Sequence, residues 1–364
     1  MVPDHADPAP GLIVREVTLR DFRSYHHLEL ELEPGVILVS GPNGAGKTNL
    51  LEALHVGTQG FSPRTRSDAQ MVRFGADAGR IVLRGVRAGT PFETDVVFAP
   101  REARRARLNG DVLSSAERLR HEFRTLVFTP DRLAVVKGAP ATRRAYLDRS
   151  LGRLVPAKAA LPVEYGAAVG QRNAALRRLA AGVSTRDALV PWTEKVAALG
   201  SRLVAARVET VEQLAPRFVA LAGELGLESA GLAYDGDPPT VGELDQRLER
   251  DLERGLTSFG PHLHDLGVST RGRELRSYGS QGEQRIAVLA LVLAEAEAIA
   301  DRVGSPPLVL LDDVLSELDE TRRRALASMV VRGSQTVITA TAAAALPAEP
   351  AQALVISNGR VQRG

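Results

Sequence analysis

The segment "LVSGPNGAGKTNLLEALH", residues 38–55, constrains the fold of this chain more than any other. An apolar run, a glycine-rich loop and a helical spacing of Leu50, Leu51 and Leu54 follow one another without a break. Gly41, Pro42, Asn43, Gly44, Ala45, Gly46, Lys47 and Thr48 fit G-x-x-x-x-G-K-[ST]. Glycines let the backbone adopt positive φ and turn successive N–H groups onto phosphates, and the helix behind adds its positive end. All eight residues are therefore expected to bind ATP. Lys47 is expected to reach the β- and γ-phosphates, and the Thr48 hydroxyl to ligate Mg²⁺.

Such a loop needs a sheet around it. "LIVREVTLRDF" and "HLELELEPGVILVS" alternate with a period of two, Leu28, Leu30 and Leu32 opposing Glu29, Glu31 and Glu33, so strands are expected, with Pro34-Gly35 turning into the next. "VILVS" is apolar throughout, as in a strand covered on both faces. "RIVLRGVRAG", "FETDVVFAP" and "RTLVFTP" are expected to form an antiparallel sheet edge. Residues 141–226 are Ala-, Leu-, Arg- and Glu-rich with apolar residues at helical spacing, which predicts two or three amphipathic helices broken at Pro216 and no long coiled coil. The reading is an α/β chain, a P-loop sheet with an antiparallel β subdomain plus an α-helical second lobe. The expected bounds are 1–11 for a disordered tail, 12–140 and 251–364 for the two parts of the head, and 141–250 for the helical lobe.

"PLVLLDD" reads as a buried strand ending in two carboxylates: Asp312 to hold Mg²⁺ with Thr48, Asp313 to orient the attacking water. In "SYGSQGEQRIAVLALVLAEA", Ser280 stands at a helix N-cap with Gly282 and Glu283 in the first turn. That is a second phosphate-binding device, and one protomer cannot easily bring both to the same γ-phosphate. A dimer with nucleotide between one copy's loop and the other's helix is expected.

Taken in order, "GPNGAGKT", "SQGEQ", "LVLLDDVLSELD" and "TAT" resemble the Walker A, signature, Walker B and D-loop motifs of an ABC-type ATPase head. Adding "LRDFRSY" and "LVFTPDRLAVVKGAPATRRAYLDR", the chain resembles the RecF family of SMC-like DNA-repair ATPases over about residues 12–364. The resemblance implies that Arg23 approaches the phosphates, that Ser280, Gln281, Gly282 and Glu283 are the signature touching ATP across the dimer, and that Ser316 and Asp319 form the D-loop. It implies catalysis through Lys47, Asp312 and Asp313, with Asp313 where related heads carry Glu, and hence slow, DNA-dependent hydrolysis. Gln281 takes the place of the signature's usual first glycine. Thr341 stands near the switch-histidine position, and Thr129-Pro130-Asp131 where a Q-loop glutamine is expected. The family further implies action at gapped DNA in the cytoplasm, RecR and RecO as partners, and loading of RecA onto single strands.

Charge supports a polyanionic partner. Residues 61–150 hold 18 Lys and Arg against 10 Asp and Glu, while the flanking stretches are net acidic. Arg64, Arg66, Arg101, Arg104, Arg105, Arg107, Arg143 and Arg144 are the candidates for sequence-independent contacts to DNA phosphates. The absence of cysteine excludes disulfides and thiolate metal sites. His262 and His264 beside Asp265 lack a third ligand and read as a solvated loop. No apolar run is long enough for a membrane helix. A transporter's cytosolic ATPase is the alternative, with membrane subunits as partners and no response to DNA.

Overall fold

The computed structural model describes residues 11–330, 334–342, 346–357 and 359–363. Of the expected N-terminal tail, residues 1–10 lie outside the described residues. Gly11 is buried so closely against the Pro306 carbonyl that a side chain there would collide with it.

The alternating N-terminal segment gives β1 (Leu12–Phe22) and β2 (Tyr25–Glu31), and the apolar run gives β3 (Val36–Ser40), which delivers the chain to the glycine loop. Beyond the helix Lys47–Gln59 come β4 (Gly79–Arg87), β5 (Thr90–Phe98), β6 (Arg105–Leu108), β7 (Asp111–Val112) and β8 (Thr125–Phe128). Three strands follow the long helices, β9 (Ala230–Asp235), β10 (Asp265–Thr270) and β11 (Arg273–Glu274). The C-terminal part supplies β12 (Leu308–Leu311), β13 (Thr336–Ala340), β14 (Gln352–Ser357) and β15 (Arg360–Arg363).

Two compact units result. The first comprises residues 1–132, 224–226 and 288–364; the second comprises 133–223 and 227–287. In the first, a sheet of order β2-β1-β4-β5-β6-β7 is antiparallel throughout, and a second sheet of order β15-β14-β3-β13-β12-β8 is parallel except for β15. Leu19, Ile81, Leu83 and Val96 from the one sheet and Val39, Leu310 and Val337 from the other share a core with Leu50 and Leu54 of the phosphate-loop helix. Consecutive β2 and β3 belong to different sheets, so Pro34-Gly35 turns the chain between layers and does not close a hairpin.

One expectation fails here. "RTLVFTP" belongs to the parallel sheet, where β8 pairs with β12, Leu308 opposite Thr125 through Leu311 opposite Phe128. All four β8 residues are buried, the mark of a strand covered on both faces.

The second unit begins at Leu133 and continues to Ala287, against an expected lobe of 141–250, and it contains the sheet β11-β10-β9 beside its helices. Its helices include Pro140–Leu154, Leu161–Ala180 and a 35-residue helix Val190–Glu224. Pro216 does not end that helix. Pro216 and Glu212, whose carbonyl loses its helical donor, are both exposed, so water can satisfy the carbonyl that proline leaves open.

Within this unit His262 and His264 form no solvated loop, which corrects that expectation. His262 Nδ1 lies 2.7 Å from the Tyr165 hydroxyl and its Nε2 3.0 Å from the Thr257 carbonyl, while His264 Nδ1 lies 2.8 Å from the Tyr234 hydroxyl. Burial, and for His264 the Arg207 charge next, holds both imidazoles below their ordinary 6.5; Arg144 and Arg207 act on His262 in the same direction. The bond to the Thr257 carbonyl and then Asp251 oppose them at His262, and Asp235 and Asp237 at His264. Because the unfolded chain takes up these protons first, their contribution is complete above pH 6.5 and declines as pH falls through that value. We expect the urea midpoint of this unit to drop between pH 7.5 and 5.5 and to drop less in His262→Gln, read by fluorescence of the chain's single tryptophan.

Candidate nucleotide site

The glycine loop starts where β3 ends and leads into the helix that follows. Gly41, Gly44 and Gly46 have φ of 146°, 80° and 117°, and the helix begins at Lys47 with Gly46 as its N-cap. A side chain on Gly41 would meet the Ile356 carbonyl, and one on Gly46 the Tyr25 hydroxyl at 2.9 Å, whereas Gly44 faces open space. The Tyr25 hydroxyl donates to the Gly46 carbonyl at 3.0 Å, and Asn49 Nδ2 to Ser24 Oγ at 3.0 Å, so the β1–β2 turn braces the loop.

Lys47 Nζ donates to the Gly41 carbonyl at 2.6 Å and the Pro42 carbonyl at 2.9 Å, so the ammonium is curled over the loop it serves. Burial lowers its pKa, opposed by the charges of Asp313 and Asp312. Thr48 Oγ1 donates to Asp312 Oδ1 at 2.9 Å across 264 residues of sequence, and Thr339 Oγ1 donates to the same oxygen at 2.8 Å. Burial raises the Asp312 pKa and Asp313 pushes the same way, while the two threonine hydroxyls oppose them.

Asp313 has a φ of 49°, in the left-handed region that few residues other than glycine adopt. Its backbone N–H donates to Thr339 Oγ1 at 2.8 Å, which holds the turn. Its Oδ1 is buried with no hydrogen-bond partner among the described residues, an acceptor in want of a donor. Among the described residues the set therefore fits a Mg²⁺-nucleotide: hydroxyl and carboxylate oxygens already together at Thr48 and Asp312, a cation at Lys47 and a free carboxylate oxygen at Asp313.

Two residues here were missed from the sequence. Thr339, in "TVITAT", rather than Thr341, ties the two aspartates together; Thr341 is exposed. Glu52, buried in the phosphate-loop helix, accepts from Arg23 Nε at 2.9 Å and Nη2 at 2.6 Å, from Arg64 Nη1 at 3.0 Å and from Ser62 Oγ at 2.6 Å. Arg23 thus lies beside the loop helix with its guanidinium engaged by Glu52 and the Gln70 carbonyl. A charged residue one turn inside a helix was the available signal. Thr129 is buried; the side chains of Pro130 and Asp131 lie outside the described residues.

At the signature, Glu283 N donates to Ser280 Oγ at 3.2 Å and Ser280 N to Glu283 Oε2 at 2.8 Å, a reciprocal cap. Ser280, Gln281 and Gly282 are exposed at the tip of the helix Gln281–Val303. Ser316 Oγ donates to the Asp313 carbonyl at 3.0 Å, and Asp319 caps the helix Glu320–Met329 by accepting from Arg322 N at 2.9 Å.

The arginine candidates separate into two groups. The side chains of Arg66, Arg101 and Arg107 are exposed with no ion pair or hydrogen bond among the described residues, and Arg105 is exposed near Glu102. Arg64 is exposed but turned toward Glu52 and Asn49, and Arg104 is held by Asp68 and the Gly60 carbonyl. Arg143 is only 3 % exposed and pairs with Asp265, and Arg144 donates to the His264 carbonyl at 2.8 Å. Arg143 is thereby corrected from phosphate contact to internal ion pair: a helix with arginines at 143, 144, 149 and 153 turns Arg143 inward, which charge counting cannot register.

Comparison with known proteins shows the family and the fold. The family description "RecF/RecN/SMC N terminal domain" matches residues 13–357. The DNA replication and repair protein RecF of Heliobacterium modesticaldum is 36 % identical over 328 residues, covering 86 % of this chain and 88 % of that protein. The RecF of Symbiobacterium thermophilum is 37 % identical over 342 residues, 88 % of this chain and 89 % of its own. A solved structure of the recombination mediator protein RecF with ATP, in the RecFOR pathway, superposes with a TM-score of 0.85 at 26 % identity, covering 99 % of this chain and all of that one. An Smc head bound to the C-winged helix domain of ScpA shares the fold at a TM-score of 0.60 and 15 % identity.

Proposed function

Because this chain belongs to the RecF/RecN/SMC family, we propose that it is an ATP-driven clamp on DNA that works in recombinational repair. Its fold is that of an ABC-type ATPase head, and ATP is the nucleotide held by RecF structures of the same fold. The observation that carries the reading is the Thr48, Asp312, Thr339 and Asp313 chain of hydrogen bonds set against the glycine loop.

Lys47 exchanges its two loop carbonyls for β- and γ-phosphate oxygens, which need its charge more. Thr48 and Asp312 would hold Mg²⁺, which when bound would supply positive charge to neutralise that developing on the phosphates. Asp313 directs its free oxygen at water. That water's oxygen bonds to the γ-phosphorus as the bond to the β-phosphate oxygen breaks, and its proton passes to the carboxylate. An aspartate reaches less far than a glutamate, which fits slow turnover.

The exposed Ser280 tip is matched to the γ-phosphate of a nucleotide held by a second copy. ATP then favours the closed pair because it offers that tip a contact ADP lacks, and hydrolysis removes the preference. The closed pair binds duplex or gapped DNA through arginine–phosphate contacts without reading sequence, hydrolyses faster when DNA is bound, and acts in the cytoplasm with RecR and RecO to load RecA. Among the described residues no helix is long and apolar enough to cross a membrane, and the matched family is not one of transporters. Sedimentation should show a dimer with ATP, a monomer with ADP, and co-sedimenting gapped duplex only with ATP. Equal dimerisation in ADP defeats the proposal.

A further inference from the structure

The antiparallel sheet buries one face in the core and leaves the other open, and charge on the open face is sorted along the strands. One row across β2, β1, β4, β5 and β6 reads His27, Arg20, Arg80, Val97, Arg105, and Arg107 lies in the next row opposite Asp95. Two rows further along, Glu31, Glu16 and Glu93 surround Arg84. The sheet thus has a basic end and an acidic one. At the basic end Arg80 is taken by Asp95, at 2.8 and 2.9 Å. Arg20 and Arg107 are exposed, and their side chains make no ion pair or hydrogen bond among the described residues.

A rigid turn stands at this same end. Val72 bridges to Phe22, Arg73 N donates to the Asp21 carbonyl at 2.8 Å, and Ala76 N to the Arg73 carbonyl at 3.0 Å. Met71 and Val72 are buried beneath it, and β4 starts three residues beyond Ala76. Gly75, with φ of 85°, permits the turn, and Phe74 at its tip is 100 % exposed. Around the ring in sequence stand Arg73, Gly75, Ala76 and Asp77, and the one apolar side chain among them, Ala76, packs against the core.

A protein-docking surface needs a contiguous apolar patch, which this is not. A single ring held clear of the surface, at the sheet end that also carries arginines with unpaired side chains, suits a stacked nucleobase, since every base offers a π-face and its strand a run of phosphates. Paired bases are already stacked, and entering between them costs their separation, so the fitting base is one already unpaired. We propose that the Arg73–Ala76 turn engages the unpaired base at a junction of single- and double-stranded DNA, with Phe74 stacked on it and Arg20 and Arg107 on adjoining phosphates. This rests on the DNA-clamp reading and adds to it a basis for preferring gaps.

The test uses the full chain with ATP, a gapped duplex and an uninterrupted duplex of equal length. Phe74 makes no packing contact with the core, so Phe74→Ala leaves the fold intact, as its melting curve verifies. It should bind the gapped duplex about 5- to 150-fold more weakly, the range for loss of one aromatic–base stack. Its affinity for the uninterrupted duplex and its salt slope should stay as in wild type, and Phe74→Trp should restore gap binding. Arg20→Ala with Arg107→Ala should weaken both DNAs and flatten the salt dependence. Equal gap binding by Phe74→Ala, an equal loss on both DNAs, or a loss of ATP-dependent dimer in its place overturns the proposal. Wild-type chain that binds neither DNA overturns the clamp reading itself, a separate result.

Discussion

Lys47→Ala should leave the chain unable to pair in ATP, whereas Asp313→Asn should pair normally and fail to come apart. The two side chains lie in one site and differ in what they hold. The Lys47 ammonium is buried with two backbone carbonyls as partners, and a phosphate is the stronger acceptor for it. Losing two or more charge-assisted bonds at about 1.5–3 kcal/mol each weakens ATP binding by a factor of roughly 100 or more. Asp313 offers an oxygen with no partner among the described residues, so Asn there keeps the shape and the backbone bond to Thr339 but cannot accept a proton. Hydrolysis should fall by about 10²–10⁴ while ATP affinity holds. Fluorescent-nucleotide titration, phosphate release and sedimentation measure the three quantities. Wild-type hydrolysis in Asp313→Asn removes it as the base, and wild-type pairing in Lys47→Ala removes nucleotide as the link.

Asp251→Ala is the substitution expected to cost most stability in the second unit. Arg172 and Asp251 have side chains with no exposed surface, and Arg172 Nη1 reaches Asp251 Oδ2 at 2.7 Å. The guanidinium also donates to Thr257 Oγ1 at 2.9 Å and Thr193 Oγ1 at 3.2 Å, while Asp251 Oδ1 accepts from Ser258 N at 3.0 Å. Taking away one partner strands a charge out of water, a loss of about 3–5 kcal/mol, or roughly 10 °C in melting temperature. Replacing both, as Arg172→Met with Asp251→Leu, should restore most of it, because no uncompensated charge remains. A melting point for Asp251→Ala within about 2 °C of wild type would show that water reaches the pair.

Much of the site is legible without coordinates. The glycine spacing, the paired aspartates at a strand end and the Ser280–Glu283 cap are short-range patterns, and each names its own chemistry. Glu52 and Thr339 are not legible in that way. Glu52 matters because Arg23, Ser62 and Arg64 converge on it, and Thr339 because it stands between Asp312 and Asp313; neither spacing repeats any local rule. The arginines show the same limit from the other side: Arg107 and Arg143 carry equal weight in a count of charge, yet one faces water and the other Asp265.

From sequence alone came strands β1 to β3, the phosphate loop with its helix, and the capped helix tip at Ser280, since each depends on backbone sterics and side-chain period over ten or twenty residues. Only the tertiary structure decided that β8 joins the parallel sheet through residues 308–311, that the long helix passes Pro216 unbroken, and which arginines remain free. Those outcomes depend on what lies across the core or across water, and partners hundreds of positions apart leave no trace in the local pattern of either.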